Sequence, residues 1–337
     1  MKNLILIIVV LTLLSGCFPS KNLDKKEVLL QGRTMGTTYS IKVIIEHDSV
    51  DTQLLQKDID KALANINQEM STYITDSELS RFNQSTSLEP VTISKGLTRV
   101  IKESLRLGKL SQGKLDVTLG PLVNLWGFGP NYQPEKEPTE ALLNKAKTAV
   151  GIHHLVLNGN KLSKKIPNLY VDLSTIAKGY GVDFIAELLE SKGLHNYLVE
   201  IGGEMRLKGF KHTGELWVAA IEKPITTERA VQQAIIPKDN AVATSGDYRI
   251  YFESDGQRFS HIIDPATGKP INHKLVSVTV IHPSSMTADG LSTALMVMGE
   301  KEALAFAEKN DIAAYFISKL ENGFVEQSTV KFAQYLK

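Results

Sequence analysis

The order of strand-like and helix-like segments is the feature that most restricts how this chain can fold. Both kinds of segment occur, but without the steady alternation that produces a doubly wound parallel sheet. Runs rich in β-branched and aromatic residues predict strands over residues 39–45, 155–157, 169–173, 197–201, 216–221, 250–253, 276–281 and 313–318. The sequence therefore predicts an α+β fold.

Apolar residues recur every three or four positions in the segments that we predict to be helical. In the helix predicted after Asp51 these positions are Leu55, Ile59, Leu63, Ile66 and Met70. A second helix is predicted to follow the N-cap residue Ser94. Further helices are predicted after residue 176 and over residues 288–298 and 301–309. Asp255-Gly256 lies between two strand-like runs and predicts a hairpin turn.

The first 16 residues have the pattern of a secretory signal peptide. Lys2 precedes an apolar run over residues 4–14, and the small residues Ser15 and Gly16 follow that run. The run is too short to cross a bilayer as a mature helix, which needs about 20 residues. We predict that residues 1–16 are removed from the mature protein.

Cys17 comes next and is the only cysteine in the sequence, which excludes an internal disulfide and a Cys-rich zinc site. Its surroundings resemble the lipobox of bacterial lipoproteins, in which the cysteine is acylated and becomes the mature N-terminus. The alternative is an ordinary signal peptide with an unrelated cysteine. The resemblance implies a lipid anchor in a bacterial cell envelope, facing the periplasm, and Phe18 favours the outer membrane over the inner one. Residues 17–27 then form a polar tether and residues 28–337 a single domain.

The charge balance argues against a nucleic-acid partner. The chain has 38 basic and 37 acidic residues, and the first 16 residues carry only one of these charges, on Lys2. The mature protein is therefore neutral, whereas nucleic-acid binding depends largely on clustered Lys and Arg side chains that neutralise phosphates.

Residues 171–181 run from an apolar segment through hydroxyl side chains into a helix. A helix N-terminus directs free N–H groups and the positive end of its dipole at whatever lies there, which favours an anion. Lys178 adds a positive charge, while Asp172 and Thr175 offer oxygen atoms to a metal or a polar group. Asp, Ser and Thr are also ordinary helix caps, so a purely structural interpretation stays open.

A second group of oxygen atoms is predicted where the helix over residues 288–298 begins. Asp289, Ser292 and Thr293 stand at positions i, i+3 and i+4, which share one face of a helix. One carboxylate with nearby hydroxyls suits a hard cation such as Mg²⁺, which often takes few protein ligands. The alternative is a capping aspartate with two hydroxyls bonded back to the helix.

Three further side chains are candidates for a binding or catalytic role. His261 precedes a turn rich in Pro and Gly, and a neutral imidazole could act as a general base. Met35 and Tyr73 are suited to packing against a planar ring system. Met35 and Tyr73 could equally be core residues, and a lone histidine beside a turn is more often structural.

Eight segments in this order resemble the ApbE family of FAD:protein FMN transferases. They are residues 35–37, 70–73, 77–83, 116–130, 171–179, 200–204, 261–265 and 288–294. The resemblance covers nearly the whole mature domain. It implies an α+β domain of mixed, largely antiparallel sheets with packed helices and a cleft for FAD.

The resemblance also implies roles for the matching residues. Met35 and Tyr73 would border the flavin or adenine rings of FAD. The remaining FAD contacts would be Lys114, Leu115, Asp116, Asp172, Lys178 and the backbone at Ile263. The ligands of Mg²⁺, or of Mn²⁺, would be Thr175, Asp289, Ser292 and Thr293.

The reaction implied by the resemblance is Mg²⁺-dependent transfer of FMN from FAD to a threonine hydroxyl of an acceptor protein, with release of AMP. His261 is the candidate general base. The acceptors would be exported flavoproteins, such as subunits of redox-driven ion pumps. Two alternatives stay open: a Mg²⁺-dependent FAD pyrophosphatase, which forms FMN and AMP, and a non-enzymatic periplasmic FAD-binding lipoprotein.

Overall fold

The structure is a computed structural model that describes residues 25–46, 50–130, 137–225, 230–248, 250–254 and 257–337. The predicted signal peptide, Cys17 and most of the predicted tether lie outside the described residues, as does the predicted turn at Asp255-Gly256. Within the described residues, no helix is both long enough and apolar enough to span a membrane.

The described chain forms one domain of strands and helices, which confirms the predicted α+β class. The strands are β1 (Lys26–Thr34), β2 (Thr37–Ile45), β3 (Val91–Thr92), β4 (Leu155–Asn158), β5 (Lys161–Lys164), β6 (Tyr197–Ile201), β7 (Glu204–Lys208), β8 (Ala219–Glu222), β9 (Val231–Ile235), β10 (Ala241–Gly246), β11 (Tyr251–Ser254), β12 (Gln257–Ser260), β13 (Leu275–His282), β14 (Ala313–Leu320) and β15 (Gly323–Ser328). The helices are α1 (Thr52–Met70), α2 (Glu78–Gln84), α3 (Lys95–Leu110), α4 (Gly120–Leu125), α5 (Glu140–Lys147), α6 (Ala177–Ser191), α7 (Ser285–Met298) and α8 (Glu300–Lys309).

An eight-stranded sheet in the order β1-β2-β6-β7-β10-β13-β14-β15 is the centre of the molecule, and three smaller sheets accompany it. The strand pairs described are antiparallel, as the family resemblance implied. Antiparallel neighbours do not need long crossover connections, which explains why the chain lacks a regular alternation of strand and helix.

Helices cover one face of the large sheet. Near β1, β2 and β6 the apolar faces of α1 and α6 pack on the strands, and Ile59, Ile185 and Ile41 are fully buried there. Farther along, α7 packs on β10 and β13, α8 packs on β14, and α3 packs on α7. Helix α7 is buried on nearly all sides, so its polar side chains lie inside the protein rather than at its surface.

The opposite face of the large sheet is covered by the hairpin of β8 and β9 and by the C-terminal 3₁₀ segment Val330–Tyr335. A smaller apolar cluster joins α4 and α5 to the hairpin of β11 and β12, with Trp126 at its centre. The indole N–H of Trp126 donates to the carbonyl oxygen of Gly268 at 2.9 Å. That bond fixes the turn that follows His261.

Two of the predicted strands were wrong in kind or extent. Residues 169–173 belong to no sheet: the side-chain amide of Asn83 accepts from the N–H of Val171 and donates to its carbonyl oxygen, both at 2.8 Å. One asparagine thus replaces a neighbouring strand. In the predicted strand 216–221, Leu216 forms only an isolated bridge with Phe210, and the strand itself begins at Ala219.

Candidate active site

The first turn of α6 and the second turn of α7 meet at Gly179. Helix α6 has no capping side chain at its own N-cap residue, Ile176. Instead, the N–H of Gly179 donates to Oδ2 of Asp289 at 2.9 Å, so a carboxylate from another helix caps α6. A Cβ atom at residue 179 would clash with the carbonyl oxygen of Ser285 and lie 2.8 Å from Cβ of Asp289. Glycine is therefore what allows the two helices to approach this closely.

The predicted opening of α7 was wrong. The helix begins at Ser285, with Ser284 as its N-cap, so Asp289 lies inside the helix and is not its cap. The N-terminus of α7 is held by the buried Asp183 of α6, whose carboxylate accepts from the N–H groups of Ser285 and Met286 at 2.9 and 3.0 Å. This contact fixes the register of α7 against α6.

Lys178 lies between two carboxylates. Its Nζ donates to Oε1 of Glu204 at 3.0 Å and lies 4.0 Å from Oδ1 of Asp289. Burial lowers the pKa of Lys178, but the carboxylates of Asp289 and Glu204 raise it by more, so the ammonium stays charged. Burial raises the pKa of Asp289 to about 7, although Lys178 opposes that change. Glu204 is itself buried, and its Oε2 has no partner within the described residues.

The hydroxyls of Ser292 and Thr293 lie close together, as the helical spacing predicted. Both are within hydrogen-bond distance of Ser245 Oγ on β10, at 2.7 Å for Ser292 and 3.2 Å for Thr293. Ser292 Oγ also donates to the carbonyl oxygen of Asp289 at 2.9 Å. Asp289, Ser292 and Thr293 therefore form one oxygen-rich cluster that includes a residue of the sheet.

Thr175 lies in the loop that leads into α6. Its Oγ1 is buried and has no hydrogen-bond partner within the described residues. A buried hydroxyl without a partner is costly unless a ligand, an ion or water satisfies it. Ile176, in the same loop, packs against α7: its Cδ1 would lie 3.5 Å from a Cβ atom built at Gly290. Thr175 itself lies two residues before α6, whose first turn is capped by Asp289.

Asp172 and Tyr73 act on each other electrostatically. Oδ1 of Asp172 accepts from the N–H of Ser174 at 2.9 Å. Burial raises the pKa of the Asp172 carboxyl, although its hydrogen bonds to Ser174 lower it. Desolvation, followed by the Asp172 carboxylate, raises the pKa of Tyr73. The Tyr73 side chain is 71% exposed, which leaves its ring open to a ligand.

Met35 occupies an unusual backbone conformation next to α6. It is the first residue of the two-residue turn between β1 and β2, with φ of 49°, and Gly36 follows with φ of 72°. A turn of this kind favours Asn or Gly at the first position, so methionine there is strained. Its side chain lies against α6, with Cε 3.0 Å from where a Cβ atom at Gly181 would be. Met35 is therefore held near the helix whose N-terminus carries Lys178.

The predicted FAD-binding loop also packs against α7 at Gly290. The side chain of Leu115 is buried and points toward Gly290, while Lys114 forms an ion pair with Glu302 at 3.6 Å. Both carboxylate oxygens of Asp116 are occupied, because Oδ1 accepts from Thr118 and Oδ2 accepts from the N–H of Ile152 at 3.0 Å. Asp116 therefore fixes the loop conformation, and the loop can offer its backbone to a ligand.

His261 lies on the side of the site formed by the β11–β12 hairpin. Burial lowers its pKa, and the positive charge of Lys178 contributes to the shift, so the imidazole is neutral near pH 7. Its Nδ1 is 3.0 Å from the carbonyl oxygen of Ile250. Since a carbonyl can only accept, Nδ1 carries the proton and Nε2 is the basic nitrogen. Ile263 is buried two residues later and pairs with Pro270 in an isolated bridge.

Sequence reasoning missed three residues of this site: Glu204, Ser245 and Asp183. Glu204 was included in a matching segment, but nothing in the sequence indicated that it would bind Lys178. Ser245 stands in an ordinary strand, and Asp183 in the middle of a helix. Ser245 reaches the site because β10 packs against α7, and Asp183 reaches it because α6 packs against α7.

The site joins a lysine, a capped helix N-terminus and a cluster of oxygen donors, which suits a phosphate-bearing substrate together with a hard cation. The family model "ApbE family" matches residues 35–316. An FAD:protein FMN transferase of Vibrio cholerae is 54% identical over 336 residues, which cover 100% of this chain and 99% of the relative. One of Haemophilus influenzae is 52% identical over 316 residues, 92% of this chain and 91% of the relative.

Solved structures agree with these sequence matches. The flavin transferase ApbE from Vibrio cholerae superposes with a TM-score of 0.87 at 55% identity, covering 93% of this chain and 100% of that chain. The apo form of the flavinyl transferase ApbE of Pseudomonas stutzeri superposes with a TM-score of 0.85 at 38% identity, covering 92% and 96%. The chain belongs to the ApbE family.

Proposed function

We propose that this protein is an FAD:protein FMN transferase that needs Mg²⁺, modifies a threonine of its acceptor and releases AMP. Family membership supports the activity, since the relatives compared above are named for it. The observation that carries the finer proposal is the buried, unsatisfied Oγ1 of Thr175, two residues before the helix α6 that Asp289 of α7 caps. A cation that takes this hydroxyl as a ligand would satisfy it.

The residues of the site fit Mg²⁺ by their chemistry. Asp289 supplies one carboxylate, whose Oδ1 is beyond hydrogen-bond distance of Lys178, and Thr175, Ser292 and Thr293 supply neutral oxygens. No cluster of three or more His, Cys, Asp or Glu side chains suited to a metal occurs in the described parts of the chain. A site with a single carboxylate suits Mg²⁺, which commonly retains water and substrate phosphate as ligands. When bound, the ion would neutralise charge on the phosphoryl oxygens of FAD.

Lys178 and the N-terminus of α6 are proposed to hold the FAD pyrophosphate. The ammonium is charged, its side chain is partly exposed, and the positive end of the α6 dipole lies beside it. The N–H groups of Ala177 and Gly179 already donate to Leu173 and Asp289. Met35 and Tyr73 are proposed to border the ring systems, and Lys114, Leu115, Asp116, Asp172 and the backbone at Ile263 to complete the binding surface. The exposed ring of Tyr73 is free to stack.

His261 is proposed to take the proton of the acceptor threonine. Its Nε2 is unprotonated in the tautomer that the Ile250 bond selects. The threonine oxygen then forms a bond to the FMN phosphorus, the pyrophosphate P–O bond breaks, and AMP leaves with the electron pair. The product is an FMN joined to the acceptor by a phosphoester.

The proposal is tested by incubating the purified full-length chain with FAD, Mg²⁺ and an acceptor domain that carries a reactive threonine. We expect equal amounts of AMP and of FMN-modified acceptor, and neither with Asp289→Ala. AMP with free FMN and unmodified acceptor would favour the pyrophosphatase. FAD that stays bound and intact, with an acceptor that a characterised family member modifies, would favour a carrier.

The N-terminal sequence supports the further proposal that the protein is an envelope lipoprotein facing the periplasm, where it would meet exported acceptors. Cys17→Ser should leave the protein unacylated and shift it from the membrane fraction to the soluble periplasmic fraction. Equal membrane retention of wild type and Cys17→Ser in cell fractionation would contradict this anchor.

A further inference from the structure

Ser245 connects the large sheet to the predicted metal-binding face of α7. It lies near the end of β10, and its Oγ is 2.7 Å from Ser292 Oγ and 3.2 Å from Thr293 Oγ1. Ser292 is fully buried. Of the three residues that carry these hydroxyls, Ser245 is thus the one that lies in the sheet.

The position of Ser245 follows from the alternation of side chains along β10. Ala243, two residues earlier, belongs to the core beneath α7, whereas Val242 belongs to the core on the opposite face of the sheet. Thr244 points to that opposite face as well and pairs with Thr279 of β13, with 2.9 Å between the hydroxyl oxygens. Neighbouring residues of one strand therefore make similar hydroxyl pairs on opposite faces.

When all three contacts are hydrogen bonds at the same time, the hydrogen bonds around Ser245 can run in only one direction. Each hydroxyl has a single proton to donate. The proton of Ser292 goes to the carbonyl oxygen of Asp289, which can only accept. Ser245 must therefore donate to Ser292, and its own proton is then used. Consequently Thr293 must donate to Ser245, which gives the chain Thr293 to Ser245 to Ser292 to the Asp289 carbonyl.

This direction determines what Thr293 and Ser292 present to a ligand. The Thr293 proton points at Ser245, so both lone pairs of Oγ1 are free, and Ser292 Oγ retains one free lone pair. A cation needs lone pairs and is repelled by a hydroxyl proton that points toward it. The three-hydroxyl chain therefore prepares two oxygen atoms of α7 for a cation before it binds.

We propose that Ser245 is a positioning residue for the Mg²⁺ site: its hydroxyl accepts the Thr293 proton and donates to Ser292, so that the lone pairs of both face the ion. This inference rests on the proposed function, because it assumes that Asp289, Ser292 and Thr293 hold a metal. Groups that orient a metal ligand typically contribute about 10- to 100-fold in affinity. Ser245→Ala leaves the Thr293 proton without its acceptor and should weaken metal binding to that extent.

The test measures metal binding directly, in the absence of FAD and acceptor. Full-length wild type, Ser245→Ala, Ser245→Thr and Thr244→Val are purified in detergent and titrated with Mn²⁺. Free Mn²⁺ is read from its paramagnetic resonance signal, and Mg²⁺ is added as a competitor. Ser245→Thr retains the hydroxyl, and Thr244→Val removes a hydroxyl pair of the same kind from the other face of the same strand. Thermal melting checks that each variant is folded.

We expect Ser245→Ala to raise the dissociation constant of Mn²⁺ by about 10-fold or more, whereas Ser245→Thr and Thr244→Val keep the wild-type value. Ser245→Cys, whose thiol is a weak donor and acceptor, replaces the alanine variant if that variant does not fold. Equal binding by wild type and Ser245→Ala would overturn the role of Ser245 and leave the proposed metal site standing. Equal weakening by Thr244→Val would also overturn it. A wild type that binds neither ion would overturn both the metal site and this inference.

Discussion

Asp289 interacts with three other residues of the site. Its Oδ2 caps α6 through Gly179, its carbonyl oxygen accepts from Ser292, and its Oδ1 faces Lys178. Burial raises its pKa to about 7. A carboxyl that titrates near neutral pH can exchange its proton for a metal ion within the physiological range.

This pKa leads to a prediction about the pH dependence of metal binding. Below the folded-state pKa, Asp289 is protonated in the metal-free protein and a proton competes with the metal. Mg²⁺ should therefore raise the melting temperature clearly at about pH 8 and much less at about pH 6. The direction of this pH dependence follows from the raised pKa of Asp289. Ionising the buried carboxyl costs stability as the pH rises, and the cation offsets that cost.

Differential scanning fluorimetry of the full-length chain, with and without Mg²⁺, checks this prediction. The matched control is Asp289→Asn, which retains the shape of the side chain but cannot ionise. It should show no Mg²⁺-induced shift at either pH. An equal shift for wild type at both pH values would show that Asp289 does not titrate in this range.

At the scale of elements, the contact between α6 and α7 sets the site. Gly179 allows the close approach, Asp289 caps α6, and Asp183 holds the N-terminus of α7. The two helices thus cap each other through one aspartate apiece. The position of Lys178 against the oxygen-rich cluster depends on that register.

Gly179→Ala should separate the two helices. The new Cβ atom would meet the backbone of Ser285, which cannot move without displacing α7. We expect a loss of about 1–3 kcal/mol in the free energy of unfolding, the usual range for overpacking, together with weaker Mg²⁺ binding. Urea denaturation and the metal titration described above measure both effects.

Gly181→Ala is the control on the same helix. Its Cβ atom would meet the flexible end of Met35 at 3.0 Å rather than backbone, and alanine favours helix over glycine by about 1 kcal/mol. We expect this variant to be as stable as wild type or slightly more stable. Equal stability of Gly179→Ala and Gly181→Ala would show that the α6–α7 approach is not as tight as described.

For the whole molecule, the sequence predicts the class of fold and several of the helices, because their apolar periodicity is local. The faces of α1 and α3 are buried as that periodicity predicted. Apolar periodicity does not predict that residues 169–173 lie outside the sheets. An apolar run has the same pattern whether its hydrogen-bond partner is a strand or the side chain of Asn83.

The candidate site also has a part that the sequence predicts and a part that it does not. Asp289, Ser292 and Thr293 share a face because of helical spacing alone, so sequence reasoning grouped them. Ser245 and Glu204 come from β10 and β7, and their approach depends on strand pairing that no local pattern encodes. The start of α7 was misplaced because its N-terminus is fixed by Ser284 and by the distant Asp183.

The most direct test of the proposed transferase is the intact mass of an acceptor domain after incubation with the full-length chain, FAD and Mg²⁺. We expect a mass increment of one FMN on the acceptor threonine. The increment should be absent when that threonine is replaced by valine, when Mg²⁺ is chelated, or with Asp289→Ala. An unchanged acceptor mass, with an acceptor that a characterised relative modifies, would contradict the proposed transferase, and an undiminished increment with Asp289→Ala would contradict the proposed site.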